Sequence, residues 1–259
     1  MLFAAVLVGV ALGFALGLFG GGGGILAVPL LLAIGIPADS AGTTSLVVVG
    51  VAAMSGVITN ARVGRVAWRE GLTFAALGIV AAMVGSKLAL WAADGPQLLA
   101  FTLLMVIAGA LMLRKALATP DEVEDASAPG ATARRRASWP LVVAVAVGVG
   151  LVTGFFGVGG GFLVVPALTI VLAMPMHRAT ATALLVIAIN SAAALVPRVG
   201  AAMDVRATVI VTIAAVITTF LAARWSNRWS ARGLGIGFAA LVLAMSVLTA
   251  WEAWQLLAA

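Results

Sequence analysis

"GLFGGGGGILAVP", residues 17–29, interrupts an apolar chain with five consecutive glycines and follows them with a proline. Inside a helix, glycine is about 1 kcal/mol less favourable than alanine, and proline is about 3 kcal/mol less favourable. The stretch therefore predicts a break between two helices, and the rest of the fold is built around that break.

The composition of the whole chain indicates a membrane protein. Of its 259 residues, 63% are hydrophobic and 9% are charged, and the mean hydropathy is +1.20. Soluble domains carry about 25% charged residues, so this chain has too few charges to cover a surface in water. Its apolar runs have the length of membrane-spanning helices, about 17–25 residues. We predict an all-α polytopic membrane protein.

The break occurs twice. "GLFGGGGGILAVPLLLAIGIPADSAGTTS" (17–45) aligns with "GFFGVGGGFLVVPALTIVLAMPMHRATATA" (154–183), about half the chain length further on. Between the copies lies the long polar stretch of the chain, with the composition of a solvated linker. We therefore predict a first transmembrane repeat at 1–115, a polar cytoplasmic linker at 116–138 and a second transmembrane repeat at 139–259.

The chain direction through the membrane has two possible arrangements. Segment 25–36 is too short to span about 30 Å of hydrocarbon by itself. If each glycine segment crosses as one broken helix, the chain crosses the membrane eight times. Ten basic residues then lie on one side of the membrane and five on the other. If each segment is a re-entrant hairpin, three full crossings remain in each half and the two halves have opposite orientations. Twelve basic residues then lie on one side of the membrane, and three (Lys87, Arg198 and Arg206) lie on the other. Basic residues concentrate on the cytoplasmic side, so the inverted arrangement is favoured, with both termini outside.

Irregular backbone at membrane depth is tolerated where it is buried in protein or lines a wet cavity. Pro29 and Pro166 each follow a glycine run by five residues, which predicts that they lie in the first turn of a short helix. Free N–H groups at such a helix N-terminus attract anions. Close packing between helices is the alternative use of these glycines. The candidate substrate-binding glycines are Gly20, Gly21, Gly22, Gly23, Gly24, Gly157, Gly159, Gly160 and Gly161.

The doubled glycine–proline motif and the paired "RVG" turns resemble the sulfite exporter TauE/SafE family of bacterial membrane transporters. The resemblance covers essentially the whole chain. It implies transport of small sulfur-containing anions such as sulfite or organosulfonates. The second "GTS"-like turn departs from the pattern, because it reads Thr180-Ala181-Thr182 and supplies fewer hydroxyls.

Several polar side chains follow the two breaks and are further candidates for substrate binding. Hydroxyls can donate to the oxygens of an anion, but they can equally cap the helix or bond to a preceding carbonyl. A mid-span asparagine can contact substrate or join helices. These candidates are Thr43, Thr44, Ser45, Thr180, Thr182 and Asn190.

Three basic side chains have ambiguous roles. Lys87 lies near the end of its span, which favours snorkelling to the interface over an anion role. Arg198 lies on the outer face of the inverted arrangement and is a candidate for an anion-attracting vestibule. His177 has no neighbouring ligand cluster, which favours an interfacial residue over a metal ligand.

The acidic residues all lie in or beside loops, so no carboxylate relay for protons is expected inside the bundle. We find no catalytic triad, phosphate motif or metal cluster, and predict no enzyme activity, no cofactor and no nucleic-acid partner. The expected function is secondary transport of a small anion by alternating access in the bacterial inner membrane, with export as the expected direction. An anion channel and a non-transporting membrane scaffold are the alternatives, and the oligomeric state is left open.

Overall fold

A computed structural model describes residues 2–89, 94–118, 139–156, 161–198 and 203–258 of the chain. The regular structure in these ranges is entirely helical, which confirms the all-α prediction. The helices are α1 (Leu2–Phe19), α2 (Gly22–Ala33), α3 (Ala38–Ala61), α4 (Trp68–Ala89), α5 (Asp94–Ala118), α6 (Trp139–Phe156), α7 (Gly161–Pro166), α8 (Met176–Leu195), α9 (Val205–Trp225) and α10 (Ala231–Ala258). A π-helical turn, Ala167–Val171, continues α7.

Eight of the described helices are long and apolar enough to cross a membrane, and α2 and the α7 segment are shorter. The two central helices are α3 and α8, because 56% and 61% of their apolar windows are buried, against 17% for α6. Long apolar helices with exposed hydrophobic flanks are the expected form of a protein whose outer surface faces lipid. The structure therefore agrees with a polytopic membrane protein.

The first glycine run does break the chain. Helix α1 ends at Phe19, Gly20 adopts a positive φ of 71°, and α2 begins at Gly22. Gly23 then lies against Leu12 and Leu16 of α1, so α2 folds back beside α1 as a hairpin. A positive φ is accessible to glycine at little cost, which is why the run supplies the turning residue.

The contacts of α9 give the direction of the helices in the first half. Along α1, Gly9 faces Val211 and Gly17 faces Ala222, so α1 and α9 are parallel. Along α3, Thr44 contacts Thr208 and Gly56 faces Thr219, so α3 is also parallel to α9. Helices α1 and α3 therefore point the same way, and α2 returns the chain between them.

The two halves exchange equivalent contacts. The α1–α9 seam has glycines at every fourth position of α1, at Gly9, Gly13 and Gly17. The corresponding seam joins α6 to α4, where Gly150 lies against Gly78 and Gly154 against Ala82. Small residues at this spacing let helix backbones approach closely inside a membrane. In each half, the first helix thus packs on the fourth helix of the other half.

Equivalent helices of the two halves run antiparallel where they meet. Gly50 of α3 faces Ser191 of α8, whereas Gly56, further along α3, faces the earlier residue Leu184. Helices α5 and α10 behave in the same way, because Thr102 bonds to Thr249 while Gly235 faces Ala116.

The predicted position of the two prolines is wrong. Pro29 is the eighth residue of α2 and Pro166 the sixth of α7, so neither lies in a first helical turn. The glycines after the break become helical and move each helix start toward the N-terminus. After Pro166, the chain widens into the π-helical turn, in which Leu172 N–H donates to Ala167 O at 3.1 Å.

Candidate functional site

The two glycine breaks meet inside the bundle. A β-carbon on Gly21 would overlap the carbonyl oxygen of Gly161, and one on Gly161 would lie 2.6 Å from Ile187 Cδ1. A β-carbon on Gly20 would lie 2.5 Å from the carbonyl oxygen of Thr180 on α8. These approaches require glycine on steric grounds. The structure thus brings Gly20, Gly21 and Gly161 together, whereas Gly157, Gly159 and Gly160 lie outside the described residues.

The first turn of α2 has both a polar and a packing face. Its N-cap, Gly21, supplies no side-chain hydrogen bond, and α-helix geometry leaves the N–H groups of Gly22, Gly23 and Gly24 without intrahelical acceptors. The Cα atoms of Gly22 and Gly23 face Leu241 and Leu16 closely, so these two glycines also serve packing. The helix N-terminus carries a partial positive charge beside the junction of the two breaks.

Three of the candidate hydroxyls already donate their protons within the protein. Ser45 Oγ donates to Gly42 O at 2.9 Å, and Thr180 Oγ1 donates to His177 O at 3.0 Å. Thr208 Oγ1 donates to Asp204 O at 2.7 Å, which leaves Thr44 as the donor in the 3.2 Å Thr44–Thr208 contact. In this conformation, these hydroxyls hold the helices and have no proton left for an anion.

Thr43 and Thr182 differ from those three residues. Thr182 is fully buried, and its Oγ1 accepts a hydrogen bond from Ala67 N–H at 3.1 Å, so its own proton has no acceptor among the described residues. Thr43 is 5% exposed, and its hydroxyl likewise has no partner in the described part of the chain. Both hydroxyls are therefore able to donate to a bound molecule.

Asn190 carries an unsatisfied polar atom. Its Oδ1 is buried and has no hydrogen-bond partner within the described ranges. Asn190 follows Ile187 by one helical turn of α8, and Ile187 packs on Gly161 at the break. A buried polar group without a partner costs about 1–3 kcal/mol, so a bound ligand is a physical reason for keeping it. Asparagine amide oxygen and nitrogen are assigned from their partners, so the group can also present its N–H₂ to an anion.

Two basic residues near the breaks have roles that their charge pattern alone did not reveal. Arg178 lies in the first turn of α8, two residues before Thr180, and its Nε is buried without a partner in the described part of the chain. Lys115 of α5 donates from Nζ to the carbonyl oxygen of Thr169 in the π-helical turn. The lysine thus satisfies a carbonyl at the negative end of the α7 segment.

The remaining sequence candidates lie at helix ends. His177 Nε2 is 3.3 Å from Ser226 O and 3.2 Å from Trp229 O, at a helix end. No group of three metal-binding side chains occurs among the described residues. Lys87 is exposed near the end of α4, and the Arg198 guanidinium lies against Gly42 at the start of α3. The roles of Lys87 and Arg198 stay predictions.

The carboxylates of Glu70 and Asp204 lie at the starts of helices. Asp204 is the N-cap of α9 and its Oδ1 accepts from Ala207 N–H at 3.0 Å, while Glu70 lies in the first turn of α4. Both positions favour a negative charge, because the N-terminus of a helix is the positive end of its dipole. Within the described side chains, the interior of the bundle therefore offers hydrogen-bond donors and positive partial charge.

Broken helices that meet inside a bundle of membrane-length helices define a class of polytopic membrane protein, and this architecture is typical of secondary transporters. The chain belongs to the sulfite exporter TauE/SafE family, whose model matches residues 5–249.

Similar proteins come from distant organisms. A probable membrane transporter protein of Xylella fastidiosa is 42% identical over 178 residues, which is 68% of this chain and 65% of that protein. One of Methanocaldococcus jannaschii is 27% identical over 197 residues, 74% of this chain and 70% of its own length. One of Bacillus subtilis is 28% identical over 204 residues, 72% of this chain and 74% of its own. The match thus spans just under two thirds of the Xylella protein, and no solved structure matches the chain.

Proposed function

We propose that this protein is a secondary transporter, acting as an exporter, for a small anion of the sulfite or sulfonate type. The observation that carries the proposal is the junction of the two glycine breaks at Gly21 and Gly161, beside the uncapped N-terminus of α2. Backbone N–H groups at a helix start bind oxyanions without needing a charged side chain. Membership of the TauE/SafE family and the names of the relatives support a transport function.

The donors around the junction favour an anion over a cation. Thr182 lies two residues after Thr180, which contacts Gly20, and its hydroxyl proton has no acceptor among the described residues. Arg178 adds a positive charge near Thr180, and the side-chain amide of Asn190 can present its N–H₂. Thr43 lies toward the other end of the α3–α8 pair, next to Gly42, which faces Arg198. A tetrahedral or pyramidal oxyanion offers several acceptor oxygens, which can bind the backbone N–H groups at the start of α2 together with such side-chain donors. A monoanion or dianion with a small apolar group would be recognised by the same chemistry.

We further propose that the halves form an inverted repeat with the linker in the cytoplasm. The antiparallel contacts of α3 with α8 and of α5 with α10 support a two-fold axis perpendicular to the helices. Among the described residues, nine basic side chains then belong to the end of the bundle where α5 ends and α6 begins, and three (Lys87, Arg198 and Arg206) belong to the opposite end. The positive-inside rule assigns the basic end to the cytoplasm of a bacterial inner membrane. The repeats at 1–115 and 139–259 are the two units of this arrangement.

Two hydrogen bonds suggest how access could alternate. Thr44 joins α3 to α9, and Thr182 joins α8 to the start of α4. Each threonine is the seventh residue of its helix, and these helices are antiparallel, so the two contacts lie at opposite ends of the α3–α8 pair. Opening one contact while the other stays closed would expose the junction to one side of the membrane.

The experiment is a flux measurement with the purified full-length chain in liposomes. Labelled sulfite, sulfate and a small sulfonate are each supplied at a fixed membrane potential, and empty liposomes serve as the background. Saturable flux that falls at least tenfold in an N190L variant supports the carrier. Flux that stays linear with concentration supports a channel, and flux equal to the empty liposomes for all three anions contradicts transport. The packing contacts of Gly22 and Gly23 would then be the main role of the break, as a scaffold requires.

A further inference from the structure

A groove opens on the outer surface of the bundle, where the end of α9 lies beside α1. Its volume is about 520 Å³. Two residues of its wall, Leu221 and Trp225, are 57% and 52% exposed, so the groove faces the surroundings of the bundle and not the junction of the breaks. Its lining residues are Phe14, Thr218, Leu221, Ala222, Arg224, Trp225 and Arg228.

The groove has one charged end. Arg224 lies in the last turn of α9, and Arg228 lies in the short 3₁₀ turn that follows, Ser226–Arg228. Both side chains are exposed, and neither has a carboxylate partner among the described residues. Two guanidinium groups four residues apart form a donor-rich cation pair that matches a phosphate.

The other end of the groove is apolar. Phe14 of α1 and Leu221 of α9 line it, and both lie on the side of the guanidinium groups that leads toward the middle of the helices. Trp225 and Trp229 flank the charged end, and both are exposed. Tryptophan is enriched where lipid headgroups meet hydrocarbon, so the two arginines lie at headgroup level and Phe14 at the level of acyl chains.

We propose that this groove binds an anionic phospholipid, with the headgroup phosphate on Arg224 and Arg228 and an acyl chain along Phe14 and Leu221. A free inorganic anion would use the arginines but leave the apolar wall without a partner. A zwitterionic lipid would cover the apolar wall but carries a compensating positive charge. An anionic phospholipid satisfies both surfaces, and basic pockets between transmembrane helices are established sites for such headgroups.

The groove is also separate from a neighbouring recess. That recess, of about 360 Å³, lies between the ends of α3 and α9 and is lined by Thr59, Asn60 and Arg62, with Arg224 shared between the two. Because Arg228 and Phe14 line the groove and not the recess, substitutions there report on the groove alone.

The test measures lipid retention by native mass spectrometry of the full-length chain, released from nanodiscs of phosphatidylglycerol and phosphatidylcholine in equal amounts. We expect retained phosphatidylglycerol in the parent protein. An arginine near the membrane surface contributes about fivefold in affinity for anionic lipid, so R228Q should weaken retention about fivefold and R224Q/R228Q about 25-fold. The matched control is R206Q, which removes an exposed arginine from the opposite end of the same helix and should change retention less than twofold.

Several results would overturn the proposal. Equal retention of phosphatidylcholine would show that the groove selects only acyl chains. Retention of phosphatidylglycerol that is unchanged in R224Q/R228Q would place the lipid elsewhere. Displacement of the lipid by millimolar inorganic phosphate would indicate a free-anion site, and a dimer whose stability depends on Phe14 and Arg228 would indicate a second copy of the chain as the occupant.

Discussion

Replacing Asn190 by leucine should stabilise the protein and impair transport at the same time. The change removes a buried Oδ1 that has no partner in the described part of the chain, and it keeps a side chain of similar size. A buried unsatisfied polar group costs about 1–3 kcal/mol, so the free energy of unfolding should rise by about that amount. For a chain of this size, the melting temperature should increase by about 2–4 °C for each kcal/mol.

The expected loss of transport follows from the same side-chain amide, whose N–H₂ is the group that can donate to an anion. If the amide contacts the anion, its removal takes away one hydrogen bond to a charged group, which is worth about 1.5–3 kcal/mol. That loss corresponds to about a 10- to 150-fold weaker affinity for the anion, measured as the half-saturation concentration of flux in liposomes. Thermal unfolding of the same preparations in detergent, at one scan rate, gives the stability.

A matched control variant tests whether the effect is specific to Asn190 or follows from replacing any buried asparagine by leucine. Asn60 is 6% exposed and its Nδ2 donates to Gly56 O at 2.9 Å, so it is a buried asparagine with a partner. N60L should lower the free energy of unfolding by about 1 kcal/mol, because it removes a made hydrogen bond. If N190L lowers the melting temperature as N60L does, Asn190 is a satisfied structural residue and the argument for a ligand contact fails.

Four other predictions rest on single contacts or on topology. G20A should destabilise the protein by about 1–3 kcal/mol more than G35A, because both positions have positive φ but only Gly20 would clash with a neighbouring carbonyl; equal melting temperatures would contradict the steric argument. T182V should cost about 1–3 kcal/mol by leaving the N–H of Ala67 unpaired, whereas T182S should be close to neutral in the same melts. Reporter fusions in the linker and at the C-terminus should report opposite sides of the membrane, and the same side would refute the inverted arrangement. A pH gradient alone should not drive accumulation of a strong-acid sulfonate into liposomes clamped at fixed potential; accumulation would require a proton relay.

The positions of the long helices were predictable because the length of an apolar segment determines whether it can span the membrane as a helix. An 18-residue apolar segment such as Leu2–Phe19 has few structures available in a membrane other than a helix. A break within the glycine run was predictable because each glycine weakens a helix by about 1 kcal/mol relative to alanine, so the helix ends most easily there. The position of Pro29 was not predictable, because it depended on how many glycines after the break would become helical.

The candidate site was harder to predict, because hydrogen-bond partners come from distant parts of the chain. Thr44 and Thr182 look alike in sequence, yet Thr44 gives its proton to Thr208, while Thr182 accepts from Ala67 and keeps its own. Those partners lie more than a hundred residues away, so no local pattern encodes them. The spacing of Gly9, Gly13 and Gly17, in contrast, is a local signal for close helix packing that can be read from the sequence.

The exchange of contacts between the halves has a consequence for the energetics of transport. Because Thr44 and Thr182 occupy the same position in antiparallel helices, they form equivalent buried hydrogen bonds between the halves at the two ends of the bundle. Each bond is worth about 0.5–1.5 kcal/mol, so we expect the states opened at one end or the other to differ by no more than that from these contacts. A difference of this size leaves both states populated, and a bound anion with modest preference can then shift the equilibrium. If such contacts existed at one end of the bundle only, they would hold the protein in one state. Turnover would then require the anion to bind the other state with a much larger difference in binding free energy.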